Sequence, residues 1–286
     1  MSAEDTPFNP TEESSFIVVR ALSDVLDSQH ASVNVTSRAL LAELAEQSLD
    51  LESEFHMLAS ADVNCDLFFK YPCVAQVIKK TGYTANIFVQ ILRDLDRLKV
   101  TVAPETLGRK PGITDRSLDF DAFDIIELNT AQSADGRYVA PQWAVRLGQW
   151  ATWFLTTEAR FMIGRIARAA LSQDDLETFR MTVKLGEYVR FALHAEDRPN
   201  ETRVPLLNIL AEVTDIAVLE MRDREHEPQL ADIIQKFNAA ATALRSQGVC
   251  SIRLIRAGGA AETRQTAHND NFALLSDSVV TITAAG

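Results

Sequence analysis

Residues 74–102 read VAQVIKKTGYTANIFVQILRDLDRLKVTV, two amphipathic segments hinged at Gly82. Glycine adopts positive φ without steric cost, so it suits the end of one helix and a tight change of direction. Before it, Val74–Thr81 has helical spacing, with Val77 and Ile78 on the apolar side. After it, Thr84 supplies an N-cap hydroxyl. Ile87, Phe88, Ile91, Leu92 and Leu95 then recur at the spacing that buries one face of a helix running to Leu98. Tyr83 is the apolar plug of the angle between the two helices. The helical pattern fails at VTVAPETLGRKPGIT (100–114), where two β-prone pieces, Val100–Ala103 and Ile113, flank a loop containing Pro and Gly.

Helix, glycine turn, capped second helix and β exit together resemble the winged helix-turn-helix of bacterial transcriptional regulators, without a gap. The exit Leu95–Asp96–Arg97–Leu98–Lys99–Val100 carries Lys99 where the family commonly has glycine, and Ile78 replaces a frequent alanine. The preceding LFFKYP is similar to the helix that opens such modules, including those appended to Fic-type proteins. The Fic catalytic signature is absent, so the likeness implies no transferase activity. The resemblance covers residues 64–112 only. It implies that Thr84, Ala85, Asn86 and Gln90 open the helix that meets base edges, where Asn and Gln pair with adenine. By the same likeness Lys79 and Lys80 would hold phosphates, and Arg109 and Lys110 would tip the wing.

Charge distribution agrees with that reading. The 286-residue chain carries a net −12, which argues against a surface coated for nucleic acid. Between Phe68 and Gly112, however, eight basic residues (Lys70, Lys79, Lys80, Arg93, Arg97, Lys99, Arg109, Lys110) meet three acids (Asp94, Asp96, Glu105). This segment is therefore +5 and the remainder −17. With 47% hydrophobic and 24% charged residues, the chain has the composition of a globular protein. No apolar run reaches the length of a membrane span, and the acidic start lacks a signal core, so a cytoplasmic protein without membrane contact is expected. Cys65, Cys73 and Cys250 lack CxxC spacing and read as reduced thiols, neither a disulfide frame nor a zinc site.

Elsewhere helices dominate the pattern. Thr11 caps a helix with Phe16, Val19, Leu22 and Leu26 inward. Val35–Ser60 reads as one or two more helices, with Leu40, Leu41, Leu44, Leu51, Phe55 and Leu58 inward. Asp119–Thr130 reads as a helix and Ser133–Gly136 as a turn. A long helix is expected over Pro141–Leu171, and Ser172 caps the next. Arg198–Thr202 reads as a loop. Pro205 opens a helix to about Arg224, and Gln229–Gln247 ends at Gly248. Cys250–Arg256 and Val279–Thr283 are β-prone and read as a hairpin or an arm on a neighbouring subunit.

Four other constellations stand out in the sequence. LESEFHMLASADVN (51–64) resembles a stretch of the GntR-type effector domain, where an acid and a His bind a metal or an organic acid. Here Glu52 and His56 would share a helix face, but that domain should follow the DNA-binding module, and its further histidines are not matched. The acids Asp115, Asp119, Asp121, Asp124 and Glu127 lack calcium-loop spacing and read as a solvated helix start. Asp174, Asp175 and Glu177 read as helix capping. Trp143, Trp150 and Trp153, with Phe154 and Phe161, read as core, with a dimer interface or a pocket wall as the alternative.

The sequence thus predicts a mainly α protein: N-terminal helices over 11–63, a winged helix-turn-helix over 64–114, a helical bundle over 115–248 and a β-prone arm over 249–286. The expected function is a non-enzymatic, homodimeric transcriptional regulator that binds double-stranded DNA. Its helical domain would dimerise and take a small-molecule effector, with no cofactor, metal or catalytic site. The rival readings are an assembly or adaptor protein using the winged module and arm for protein contacts, and a metal enzyme built on Glu52, His56 and the 115–127 acids.

Overall fold

Alternating and helical burial patterns divide the chain into seven helices and nine short strands among the residues described by the computed structural model. Those residues are 12–47, 56–61, 67–69, 77, 83–102, 118–128, 142–148, 155–194, 201–214, 227–256 and 278–284. The protein is mostly helical with small antiparallel sheets. It divides into two units, Met1–Gly164 and Arg165–Gly286.

In the first unit, α1 (Glu12–Asp27) and α2 (Ala31–Gln47) meet at a tight turn in which the Val33 and Asn34 amides donate to the His30 carbonyl. Val18, Val19, Leu22 and Leu26 form the buried side of α1. From Thr36 to Ala45 every residue of α2 is buried, so that stretch has no solvent face. Arg38 and Asn34 on this helix bond inside the protein. Arg38 Nη2 donates to Ser23 Oγ at 2.6 Å and lies 3.5 Å from Asp27 Oδ1, which also accepts from Asn34 Nδ2 at 3.1 Å. A buried charge requires this company, since an unpaired one would cost several kcal/mol.

Strands β1 (His56–Ala61), β2 (Leu67–Phe69), β5 (Phe123–Leu128) and β6 (Gln142–Leu147) form an antiparallel sheet in the order β2-β1-β6-β5. The β1–β6 pairing shifts register between Met57 and Ala59. The helix α3 (Ala85–Asp96) is followed by β3 (Lys99–Val102), which pairs antiparallel with β4 (Leu118–Asp121). Only Ala122 separates β4 from β5, and its amide donates to the Leu98 carbonyl at 2.8 Å.

Several helical expectations give way to strands here. Residues 56–61, 118–128 and 142–147 are extended, and so are residues 67–69. These runs are short and apolar, and such runs fit either period; the ladder decides, because an isolated β3 or β6 would leave its backbone groups unpaired. The Asp124–Arg146 pair shows the register: the two residues face one another, with Arg146 Nε donating to Asp124 Oδ2 at 2.7 Å. Helix α4 (Thr157–Leu171) therefore starts well after the expected Pro141. Gly164 on α4 brings that helix against α2, where an added Cβ would lie 3.2 Å from Ala45 Cβ and 3.3 Å from the Ala42 carbonyl oxygen.

In the second unit, α5 (Leu176–His194) packs against α6 (Leu206–Val213) and α7 (Glu227–Ser246). Asp175, and not Ser172, caps α5: its carboxylate accepts from the Thr178 amide at 2.8 Å and the Thr178 hydroxyl at 2.6 Å. Ser172 closes α4 instead, donating to the Ala169 carbonyl. Helix α6 stops at Thr214, earlier than expected, with the Thr214 amide bonded to the Leu210 carbonyl. Helix α7 ends as its glycine implies. Gly248 takes φ 65°, its amide donates to Arg245 O, and that of Val249 reaches back to Leu244 O.

The β-prone tail pairs within the chain. β8 (Cys250–Arg256) and β9 (Ser278–Ala284) are antiparallel, and β7 (Glu201–Pro205), expected partly as loop, adds to the other side in the order β7-β9-β8. The central β9 buries Val280 and Ile282 completely.

Candidate nucleic-acid interface

Helix α3 has two chemically distinct sides because its apolar residues keep helical spacing. Phe88, Ile91, Leu92 and Leu95 are all buried. The helix packs on α2 and β5. Thr84 is the N-cap, in extended conformation, and its hydroxyl accepts from the Ile87 amide at 3.4 Å. Arg97 closes the other end with its amide on the Leu95 carbonyl.

On the opposite side Asn86, Gln90 and Arg93 are exposed. Residues four and seven apart share a helix face, so these three form one stripe that Arg97 continues. Gln90 Nε2 donates to Asp94 Oδ1 at 3.0 Å. Ile87, expected inward, lies on the exposed side with 46% of its surface accessible. It falls beside Asn86, one residue off the buried stripe, and Phe88 takes the inward position instead.

The stripe leads into the β3–β4 pair. β3 buries Val100 and Val102 and turns Lys99 and Thr101 outward. Thr101 Oγ1 donates to Asp119 Oδ1 at 2.7 Å, and Lys99 Nζ stands 3.7 Å from Asp121 Oδ1. The described charges around α3 nearly balance, Arg93, Arg97 and Lys99 against Asp94, Asp96, Asp119 and Asp121. The positive excess of the segment resides in Lys70, Lys79, Lys80, Arg109 and Lys110, all outside the described residues.

Of the residues expected at the interface, Thr84, Asn86 and Gln90 come together at the start and exposed side of α3. Lys79, Lys80, Arg109 and Lys110 lie outside the described residues, as do Gly82 and the turn it was expected to make. Val77 is described, helical and buried. Arg93 contributes more than its charge to this face: its seven-residue spacing from Asn86 sets it on the same stripe.

The other constellations resolve into structure. His56 opens β1 rather than sitting on a helix, and Glu52 lies outside the described residues. Asp119, Asp121 and Asp124 each bond or pair with a neighbour on an adjoining strand, as given above; Asp115 lies outside the described residues. Glu177 pairs with Lys236 on α7, which also stands 2.6 Å from Asp232. Those partners, Asp232 first and then Glu177, push the Lys236 ammonium above its ordinary range. Trp143 is buried on β6, whereas Trp150, Trp153 and Phe154 lie outside the described residues. Cys250 is a free buried thiol that burial pushes up to about 12, so at neutral pH it is protonated; Cys65 and Cys73 lie outside the described residues. Among the described residues no group of three or more His, Cys, Asp or Glu is arranged to hold a metal ion, and no helix is long and apolar enough to cross a membrane.

No family model, curated protein or solved structure matches the chain.

Proposed function

We propose that the protein binds double-stranded DNA through the exposed side of α3 and works as a transcriptional regulator. The observation that carries this reading is the polar stripe of Asn86, Gln90 and Arg93 on a capped helix that runs directly into an antiparallel β pair. An α-helix fits the major groove, and amides and guanidinium groups at successive turns match the donor and acceptor pattern of purine edges. Lys79, Lys80, Arg109 and Lys110 add the sequence-independent attraction to phosphates that supplies most of the affinity. Two copies acting on two half-sites multiply the few base contacts one module makes, so a homodimer is part of the proposal.

One observation favours a second reading, in which the same face docks a protein. Ile87 is exposed beside the stripe, and Asp94 and Asp96 flank the stripe on its two sides. An exposed apolar side chain next to mixed charges is also how a protein-docking surface looks.

Fluorescence anisotropy with a labelled random-sequence duplex separates the two. The DNA reading predicts binding that weakens steeply as salt rises and a shallower salt slope in Lys79→Glu/Lys80→Glu. Absence of binding at low salt, or affinity indifferent to both salt and the double substitution, would favour the adaptor.

A further inference from the structure

Gln90 and Asp94 stand one turn apart on the exposed side of α3, with Gln90 Nε2 donating to Asp94 Oδ1 at 3.0 Å. An ionised carboxylate only accepts, so this bond determines which way round the amide lies: nitrogen toward Asp94, oxygen away. With the hydrogen trans to Oε1 given to Asp94, what remains on Gln90 is the cis N–H and the Oε1 acceptor, side by side in the amide plane. Adenine presents the complementary pair in the major groove, an N6–H donor beside the N7 acceptor. Guanine presents two acceptors there, so the same amide would set its oxygen against O6. We infer that Asp94 is a positioning residue that presets Gln90 for a bidentate contact with an adenine. This rests on the DNA-binding reading above and adds the device that orients Gln90 toward that base.

The arrangement has a cost as well as a gain. A carboxylate on a face that meets phosphates weakens binding to every sequence through like-charge repulsion. A flipped Gln90 amide would read the bases differently, and Asp94 removes that alternative before binding. Discrimination therefore improves while overall affinity falls, as expected of a specificity device. A hydrogen-bonded Gln–Asp pair four residues apart also stabilises a helix slightly. The test must therefore read base preference and not stability alone.

The full-length protein and its Asp94→Ala, Asp94→Asn and Gln90→Ala variants would each select binding sites from a random duplex library. Anisotropy would then compare the selected sites with single-position changes and with 7-deaza-adenine, which lacks the N7 acceptor. The wild type should select an adenine position and lose about tenfold in affinity when that base becomes guanine or 7-deaza-adenine. Gln90→Ala should abolish this preference. Asp94→Ala should also lose it, and Asp94→Asn should weaken it, because a carboxamide can donate to Gln90 Oε1 as well as accept from Nε2 and no longer fixes the direction of the Gln90 amide. Both Asp94 variants should bind random DNA more tightly. An unchanged preference in Asp94→Ala, or a wild type indifferent to 7-deaza-adenine, overturns the inference and leaves DNA binding standing. A wild type that binds no duplex overturns both.

Discussion

A hydrogen atom at position 186 decides how closely α5 can approach α4. A Cβ built there would lie 2.8 Å from both Ile166 Cγ1 and Cγ2. Both branch from the Ile166 Cβ, so any staggered χ1 rotation leaves one of them facing the added methyl. Replacing a helical glycine with alanine ordinarily gains up to about 1 kcal/mol of helix propensity. Here overpacking costs about 1–3 kcal/mol and outweighs that gain. Gly186→Ala should therefore lower the denaturation midpoint, and Gly186→Ala/Ile166→Ala should recover part of the loss relative to the sum of the single changes. Strict additivity in that cycle would show that the contact does not limit packing. The Asn86, Gln90 and Arg93 stripe belongs to this scale too, since each group is positioned by its own turn of α3 and needs no distant partner.

Caps and ladders explain the elements. Asp175 holds the first turn of α5 through two bonds from Thr178. Partial burial raises its carboxyl pKa, but the Thr178 bonds, the nearby Lys236 and the Glu177 amide together outweigh that and leave it below the ordinary range. The folded value is therefore lower than the unfolded one, near 3.9. Its contribution is present above that pH and is lost as pH falls through the folded value. Asp175→Ala should cost about 1 kcal/mol at pH 7 in urea unfolding, and the difference from wild type should shrink in acid. A pH-independent difference would contradict this role.

What the sequence made legible follows the same division. Helices with a strong apolar stripe and their own signals, α3 with Thr84 and α7 with Gly248, were readable, as were the alternating residues of β8. β1, β4, β5 and β6 were not, because short apolar runs such as DFDAFDIIE fit a helical period as well as an extended one. Their identity depends on partners distant in sequence: β6 pairs with both β1 and β5. Ser172 was mistaken for the cap because Ser and Asp suit that position equally, and only geometry selects Asp175. The cap at Thr84 and the exposed positions of Asn86 and Gln90 on α3 were legible from helical spacing. The place of Arg93 on the same face follows from its seven-residue spacing from Asn86, whereas Ile87 is apolar in type but exposed in position.

At the scale of the whole molecule, the chain concentrates a local +5 in a background of −17. That asymmetry would steer a polyanion toward one segment and away from the rest. Duplex DNA is proposed to meet the exposed side of α3, and hydrogen–deuterium exchange of the full-length protein, with and without excess duplex at low salt, reads that contact residue by residue. Exchange should slow chiefly in residues 77–112. Unchanged exchange throughout, or protection confined to Arg165–Gly286, would rule the proposal out.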